Sequence, residues 1–294
     1  MKISYFLWIF PCLFFSCNKD EEIIGDIIDP PSSLTYSVVE YIPAPGQFIN
    51  DSAIGFSDIY SEDEACRKAE ERLAYNRYVS LGGWGGYIVV KFLSSIENSG
   101  DYDFAIISNA FDTSNEPGIV WVMKDSNNNG KADDTWYELK GSLFGKDGYE
   151  RNYWVKYSRP EPKGNTPWID SNGETGFIEW VGNYHSQAYY YPDWIEEDSY
   201  TLYGSRLPLQ VYQDPISGIW EYIPFDWGYA DNIGSDFFET DHSNRFRISD
   251  AVSDDNLPVF LDAIDFIKVQ TAVNGSAGWL GENSTEISGF YIIE

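Results

Sequence analysis

The stretch that decides the fold is residues 81–140, which read LGGWGGYIVVKFLSSIENSGDYDFAIISNAFDTSNEPGIVWVMKDSNNNGKADDTWYELK. It contains short apolar runs rich in Ile, Val, Phe and Trp, at residues 87–92, 104–107 and 119–123. A further run, at residues 135–139, follows an acidic loop. Gly, Asn, Asp and Ser bound these runs, which are too short for typical helices. The pattern predicts β-strands separated by turns, with the acidic loop closing a hairpin.

The acidic loop, residues 125–134, has the spacing of a calcium-binding loop. It reads DSNNNGKADD, with oxygen-bearing side chains at its first, third and fifth positions, glycine at its sixth, and acids at its ninth and tenth. Ca²⁺ takes about six to eight oxygen ligands, and a tight loop can direct alternate side chains and one carbonyl at a single centre. The predicted ligands are Asp125, Asn127, Asn129, the backbone of Lys131, Asp133 and Asp134.

The loop is not predicted to belong to a helical EF-hand. Gly130 permits the sharp turn that wrapping an ion needs, but Trp136 stands at the twelfth position, where an EF-hand has glutamate. The D-x-N-x-N-G-x-x-D-D spacing resembles the calcium loops of bacterial extracellular β domains and thrombospondin-type repeats. The alternative is an Asn- and Gly-rich hairpin turn without metal.

Composition excludes some classes of partner. The chain has 294 residues, of which 43% are hydrophobic and 17% aromatic, so it can bury a sizeable core. Its net charge of -28 disfavours nucleic acid, because phosphate binding needs Lys and Arg. Abundant Tyr, Trp and Phe suit sheet faces and ligand contacts instead.

The first residues predict a secreted lipoprotein. Residues 1–17, MKISYFLWIFPCLFFSC, pair a lysine with an apolar stretch too short to span a bilayer. FFSC at 14–17 resembles a lipobox, so residues 1–16 are interpreted as a signal peptide and Cys17 as the lipidated first residue. NKDEE at 18–22 resembles the signal that sends Bacteroidetes lipoproteins to the outer face of the outer membrane. An uncleaved leader or a periplasm-facing lipoprotein is the alternative.

The remaining chain is interpreted as a flexible tether, residues 17–35, and an all-β domain, residues 36–294. A capping box at Ser61–Glu64 predicts the only substantial helix, which we expect to end near Val79. Short strand patterns without alternating helices favour an antiparallel β-sandwich. With Cys12 removed and Cys17 acylated, Cys66 has no disulfide partner and is predicted to be a core residue.

No catalytic motif is present in the sequence. His185 and His242 are the only histidines, and neither has metal-ligand spacing. No G-x-S-x-G elbow occurs. A glycosidase carboxylate pair is defined by spatial separation, and nothing singles out two of the 47 acids. We therefore predict a protein that is not an enzyme, with a hydrolase as the alternative.

Ligand contacts are predicted at clusters of aromatic residues. The clusters lie in residues 184–194, 225–232 and 278–283, where rings stand beside amides and carboxylates. Such groups can stack on a sugar or macrocycle and fix its orientation. The candidates are Trp84, Tyr184, His185, Tyr189, Tyr190, Tyr191, Trp194, Trp227, Tyr229 and Trp279. The alternative is that many of these rings belong to the core.

The assembled motifs resemble a group of Bacteroidetes cell-surface lipoproteins. They are PAPGQFIN (43–50), LGGWGGYIVV (81–90), DFAIISNAF (103–111), NEPGIVWVMKDSNNNGKADDTWYELKGS (115–142), DWGYADN (226–232) and DFIKVQTAVNGSAGWLGENSTEISGFY (265–291). Members are often encoded beside TonB-dependent transporters, and the group is similar to surface lipoproteins that capture cobalamin (vitamin B12).

The resemblance implies a jelly-roll sandwich like that of carbohydrate-binding modules. It also implies cobalamin as the ligand, a TonB-dependent transporter as the partner, and contact with the membrane only through the lipid anchor. Because the implied fold is shared with carbohydrate-binding modules, a glycan-binding role in polysaccharide uptake stays open as the alternative.

Overall fold

Antiparallel strands account for most of the regular structure of this chain. The computed structural model describes residues 34–293 except 53, 55, 183, 184 and 186. The strands are β1 (Tyr36–Ile42), β2 (Val79–Ser80), β3 (Tyr87–Glu97), β4 (Phe104–Ser108), β5 (Gly118–Met123), β6 (Trp136–Leu139), β7 (Glu150–Ser158), β8 (Thr166–Asp170), β9 (Thr175–Ile178), β10 (Ser199–Arg206), β11 (Val211–Gln213), β12 (Trp220–Tyr222), β13 (Phe237–Phe238), β14 (Ser243–Phe246), β15 (Ala251–Val252), β16 (Ala263–Thr271) and β17 (Glu286–Ile292).

Two antiparallel sheets enclose the main core. The six-stranded sheet has the order β1-β3-β16-β5-β6-β15, and the five-stranded sheet has the order β13-β14-β4-β17-β2. Ile88 and Ile267 of the first sheet and Ile106 of the second are fully buried in the same hydrophobic cluster. The rings of Tyr36 and Phe290 join the sheets, with their centroids 5.3 Å apart. The predicted antiparallel β-sandwich is therefore confirmed.

One α-helix, α1 (Glu62–Ala74), packs against β1 and β17. As the capping box predicts, the Ser61 hydroxyl accepts a hydrogen bond from the Glu64 amide, 3.2 Å away. The helix ends earlier than predicted, because Asn76 takes a left-handed conformation (φ 52°) and Val79 pairs with Ile287 in the sheet. Cys66 packs against the core, and burial raises the pKa of its thiol to about 11.

A third sheet, with the order β10-β7-β8-β9, is attached through the glycine-rich segment before β3. The Tyr157 hydroxyl donates to the Trp84 carbonyl, 2.8 Å away, and the Tyr153 ring meets the Trp84 ring edge-on at 4.6 Å. Gly82 has φ 70°, and a β-carbon there would lie 2.0 Å from the Ala44 carbonyl oxygen. Glycine is therefore required at this corner by backbone contact.

Several predictions about the first part of the chain concern residues outside the described part. These are the signal peptide at residues 1–16, the lipidated Cys17 and the tether up to residue 33. Within the described residues, no helix has both the length and the apolar character needed to cross a bilayer.

Candidate functional site

The acidic loop joins β5 to β6, as the sequence predicts, and its side chains converge. The Asp125 carboxylate accepts hydrogen bonds from the amides of Asn129 (3.0 Å) and Gly130 (2.8 Å). The Asn129 side chain donates to both oxygens of Asp133, at 3.1 and 3.0 Å. The loop therefore surrounds a small region with carboxylate and amide groups.

This arrangement has the donor chemistry of a calcium site. Hydrogen bonds link four residues of the loop, Asp125, Asn127, Asn129 and Asp133. Gly130 has a left-handed conformation, with φ 74°, as the predicted sharp turn requires. Hard oxygen donors of this type are those that Ca²⁺ prefers. Among the described residues, no three His, Cys, Asp or Glu side chains are placed to hold a metal by themselves. A site here therefore needs the asparagine and backbone oxygens, and calcium stays a prediction.

Most of the aromatic rings proposed from sequence as ligand contacts are interior residues. Their exposed fractions are 0% for Trp84, 6% for Tyr189, 1% for Tyr190, 0% for Tyr191, 3% for Trp194 and 2% for Tyr229. These rings present almost no surface to a solute in this structure. At these six positions the structure agrees with the alternative, which was that many of the rings belong to the core.

For the tyrosines, the physical reason is that each hydroxyl has a hydrogen-bond partner, so the ring can be buried without leaving that polar atom unpaired. The Tyr191 hydroxyl donates to the Glu197 carbonyl (2.7 Å), and that of Tyr189 donates to the Asp193 carboxylate (2.7 Å). The Tyr229 hydroxyl accepts from the Leu143 amide at 3.1 Å.

The other four candidates have different surroundings. His185 has both ring nitrogens occupied, with Asp51 at 3.2 Å and Gln47 at 3.2 Å, so a metal would have to displace one of these partners. Trp227 is half-buried and lines a cavity beside β6 and β14. Tyr184 lies outside the described residues, and Trp279 belongs to a short 3₁₀ turn, Gly278–Leu280.

An open groove lies on the outward face of the six-stranded sheet. The strand register aligns one residue from each of five strands in a row across that face. The row is Glu40, Val89, Lys268, Trp121 and Glu138. Because side chains alternate between the faces of a strand, these residues share a face, and the intervening positions point into the core.

Aromatic residues surround Lys268 in this row. Its ammonium nitrogen lies 5.1 Å from the centre of the Tyr87 ring, 5.0 Å from that of Trp121 and 6.0 Å from that of Trp136. These are cation–π distances. Packing among the rings withdraws the ammonium group from water, which lowers the pKa of Lys268 to about 8, although Glu40 and Glu138 act in the opposite direction.

The walls of the groove come from two other parts of the fold. On one side stands β10, with Thr201 and the 66%-exposed ring of Tyr203. On the other side are Ala132 of the acidic loop and Trp136. The groove has a volume of about 450 Å³. It therefore combines flat rings, an ammonium donor and the Glu40 carboxylate in an open depression.

These groove residues were not singled out by sequence reasoning, although a signal was present. In β5, Trp121 is partly exposed between the buried Val120 and Val122, and in β16 Lys268 is partly exposed between the buried Ile267 and Val269. Large or charged residues that interrupt a buried strand on one face mark a surface that does not belong to the core. The side chains on that face of all the paired strands, taken together, identify the groove.

A second group that the sequence did not assign is a set of carboxylates within the fold. Glu282 accepts a hydrogen bond from the Gln47 amide (2.6 Å), and Asp231 accepts one from the Glu286 amide (2.9 Å). Glu116 accepts one from the Ser284 amide at 2.9 Å. Burial raises the pKa of Glu282 to about 7 and that of Glu286 to about 7.

Comparison with known proteins does not add to this geometry. No family model matches the chain, and no curated protein matches it either.

Proposed function

We propose that this protein is a non-catalytic, lipid-anchored surface protein that binds cobalamin in the outward groove and passes it to a TonB-dependent transporter. The observation that supports a binding role best is the groove itself. The rings of Tyr87 and Trp136 lie around Lys268 in its lining, and Tyr203 stands exposed at its wall. The identity of the ligand follows from the sequence resemblance.

The groove chemistry suits a corrinoid. Aromatic faces give contact area to a flat macrocycle, and convergent polar groups fix its orientation. The amides that fringe a corrin ring can accept from the Lys268 ammonium and donate to the Glu40 carboxylate. A whole cobalamin molecule is larger than a groove of about 450 Å³, so the proposed contact involves one face or edge of the corrin ring.

Calcium has a structural role in this proposal. The acidic loop contributes Ala132 to the groove wall, and Trp136 follows it directly. An ion that fixes the loop would hold this wall in place before the ligand arrives, which reduces the entropy lost on binding. The proposed ligand oxygens are those of Asp125, Asn127, Asn129, Lys131, Asp133 and Asp134.

The lipid anchor is proposed at Cys17, from the sequence alone. Labelling of cells with a palmitate analogue should tag the wild-type protein and not Cys17→Ala. Digestion of intact cells with an added protease should remove the protein if it faces outward from the outer membrane. Protection of the protein until the outer membrane is broken would place it on the periplasmic side.

Glycan binding is the second candidate, and the size of the groove favours it. A sugar ring has an apolar face that stacks on an aromatic side chain, and its hydroxyls both donate and accept hydrogen bonds. One or two such rings fit beside Tyr203 and Trp136 without extending beyond the groove. The protein would then serve polysaccharide uptake with the same fold and the same anchor.

Calorimetry with cyanocobalamin tests the first candidate. We expect saturable heat at micromolar protein, and a loss of affinity of at least about tenfold in Tyr203→Ala, since tyrosine is enriched among the contact residues whose truncation costs about 2 kcal/mol or more. Tyr212→Ala is the matched control, because Tyr212 is also an exposed tyrosine on a strand but lies outside the groove. No heat from a folded sample would reject cobalamin as the ligand.

A glycan array with the same variants tests the second candidate. Binding that falls in Tyr203→Ala and persists in Tyr212→Ala would assign the groove to glycans. If neither cobalamin nor any arrayed glycan binds the folded protein, the groove is not the site of either ligand.

A further inference from the structure

A separate cavity lies beside β6 and β14, and none of its lining residues lines the groove. It has a volume of about 240 Å³. Its lining comes from the end of β6, the segment after β12, and β14 with the turn that follows it. Trp227 forms part of the wall. The Trp227 carbonyl accepts from the Ser142 amide at 2.8 Å, which attaches this segment to the chain beyond β6.

The charge of this cavity is unusual for the chain. The sequence has 19 Lys and Arg residues against 47 acids, yet Lys140, Arg245 and Arg247 line this one cavity. Two acids, Asp236 and Asp250, line it as well. Formal charges therefore leave an excess of one positive charge in a molecule that is otherwise strongly negative.

Arg245 is held in place by a ring and a backbone bond, and its electrostatic partner is Asp241, which lies beyond ion-pair distance. Its guanidinium carbon lies 3.5 Å from the centre of the Phe238 ring, and the backbone amide of Arg245 donates to the Asp236 carbonyl at 3.1 Å. No described acid lies within ion-pair distance of it. Its Nε is buried and has no hydrogen-bond partner among the described residues. An unpaired buried donor is costly, so the fold does not use the full hydrogen-bonding capacity of this guanidinium group.

The two other cations have weak partners. Arg247 stacks on Tyr102, with 3.9 Å from its guanidinium carbon to the ring centre, and its nearest acid is the highly exposed Asp101 at 3.7 Å. Lys140 lies 3.4 Å from Asp250. The Arg247–Asp101 pair is an exposed one, and such pairs contribute little to stability. Arg247 can therefore exchange Asp101 for an incoming anion at little cost.

Asp236 does not neutralise the arginines. Its carboxylate accepts from the Gly228 amide at 2.7 Å and from the Asn244 side chain at 3.3 Å. Burial raises the pKa of Asp236 to about 6. The carboxylate is thus already satisfied by neutral donors, and Arg245 retains its hydrogen-bonding capacity.

We infer that this cavity binds a small oxyanion, a carboxylate or a phosphate or sulfate group, through Arg245 with Arg247 and Lys140. Guanidinium groups match such anions with paired donors in a planar fork. Trp227 supplies a flat wall for the organic part that carries the anion. The volume limits that part to a small group. The site is independent of the groove and of its ligand.

The test uses the folded full-length protein and three probes: sodium acetate, sodium phosphate and sodium sulfate, each compared with sodium chloride at equal ionic strength. We expect at least one oxyanion to shift the Nε–H resonance of Arg245 saturably, while chloride does not. The resonance is assigned from the signal that is missing in Arg245→Lys. Acetate and phosphate arms distinguish a carboxylate ligand from a phosphate ligand.

Variants test whether the oxyanion binds at Arg245. Arg245→Gln should weaken binding of that oxyanion at least tenfold, and Lys156→Gln, which removes an exposed lysine from β7, should leave it unchanged. If Arg245→Gln does not fold, Arg247→Gln is measured in its place, with the same tenfold loss expected. An Arg245 resonance that responds to none of the oxyanions, or to chloride equally, overturns the proposal.

Discussion

Lys91 donates a hydrogen bond from its ammonium group to the carbonyl oxygen of Gly130, 3.3 Å away. Lys91 belongs to β3, on the outward face of the six-stranded sheet, and Gly130 lies at the turn of the acidic loop. The bond therefore joins the groove floor to the loop that forms one wall. Asp265 makes a second link, since its carboxylate accepts from the Asp125 amide at 2.8 Å.

Calcium should stabilise the protein through this loop. A ligand at about 100 times its dissociation constant adds about 2.7 kcal/mol to the free energy of unfolding, which corresponds to a rise in melting temperature of roughly 5 to 10 °C for a protein of this size. We expect that rise on adding calcium to chelated protein, measured by thermal unfolding. Asp125→Ala should abolish it, while Asp147→Ala, which removes an exposed acid outside the loop, should retain it. Identical melting curves with calcium and with EDTA would reject the site.

Core rings and groove rings should respond differently to truncation. Trp84 is fully buried, so Trp84→Ala should lower the free energy of unfolding by about 3 to 5 kcal/mol. Tyr203→Ala should change it by no more than about 0.5 kcal/mol, because the ring is 66% exposed. Urea unfolding measures both changes. A Trp84→Ala protein that is as stable as the wild type and loses ligand would return the site to the rings first proposed from sequence.

The strands of the sandwich could be predicted because their residues carry a local signal. The predicted strands at 104–107 and 119–123 are the observed β4 and β5, and the loop between β5 and β6 is where its Asn, Asp and Gly residues place it. The predicted end of α1, near Val79, was wrong. The left-handed turn at Asn76 and the pairing of Val79 with β17 depend on residues distant in sequence. Tertiary contacts decided that boundary.

The candidate site was harder to predict than the strands. Tyr189, Tyr190 and Tyr191 are residues of a type that is common on ligand-binding surfaces. Only their packing shows that they are interior. In contrast, Lys268 and Trp121 meet only through the register of β16 with β5. Register is a property of paired strands, so a chain read one segment at a time does not show which side chains share a row.

Lys268 should be a residue that reduces stability. Its ammonium group is withdrawn from water among rings, and the lowered pKa, about 8, shows that its charged form is disfavoured there. Lys268→Met keeps an unbranched apolar stem between the rings and removes the charge. We expect this variant to melt a few degrees higher at pH 7 while its affinity for the groove ligand falls.

Lys156→Met is the control for that experiment, because Lys156 is exposed on β7. It should change neither the melting temperature nor binding. A Lys268→Met protein that melts lower than the wild type would show that the cation–π contacts with Tyr87 and Trp121 outweigh the loss of hydration.

The stability of the protein should fall as the pH rises from about 4.5 to about 7. Glu282 has an ordinary pKa of 4.5 and a pKa of about 7 in the folded state, because burial disfavours its charged form. Between these values the folded state holds a proton that the unfolded chain releases, so its contribution is complete below pH 4.5 and is lost as the pH rises through 7. At about 1.4 kcal/mol for each pKa unit, the change is roughly 3 kcal/mol. Urea unfolding at several pH values between 4.5 and 8 measures it.

Glu282→Gln isolates the contribution of this residue. Glutamine can still accept from the Gln47 amide, which now donates to the carboxylate at 2.6 Å, but it stays neutral at every pH. The variant should therefore be more stable than the wild type at pH 8 and similar to it at pH 4.5. Glu239→Gln, which removes an exposed acid, controls for the general effect of lowering the negative charge. Equal pH dependence in Glu282→Gln and the wild type would show that other groups, such as Glu286 and Asp236, produce the fall.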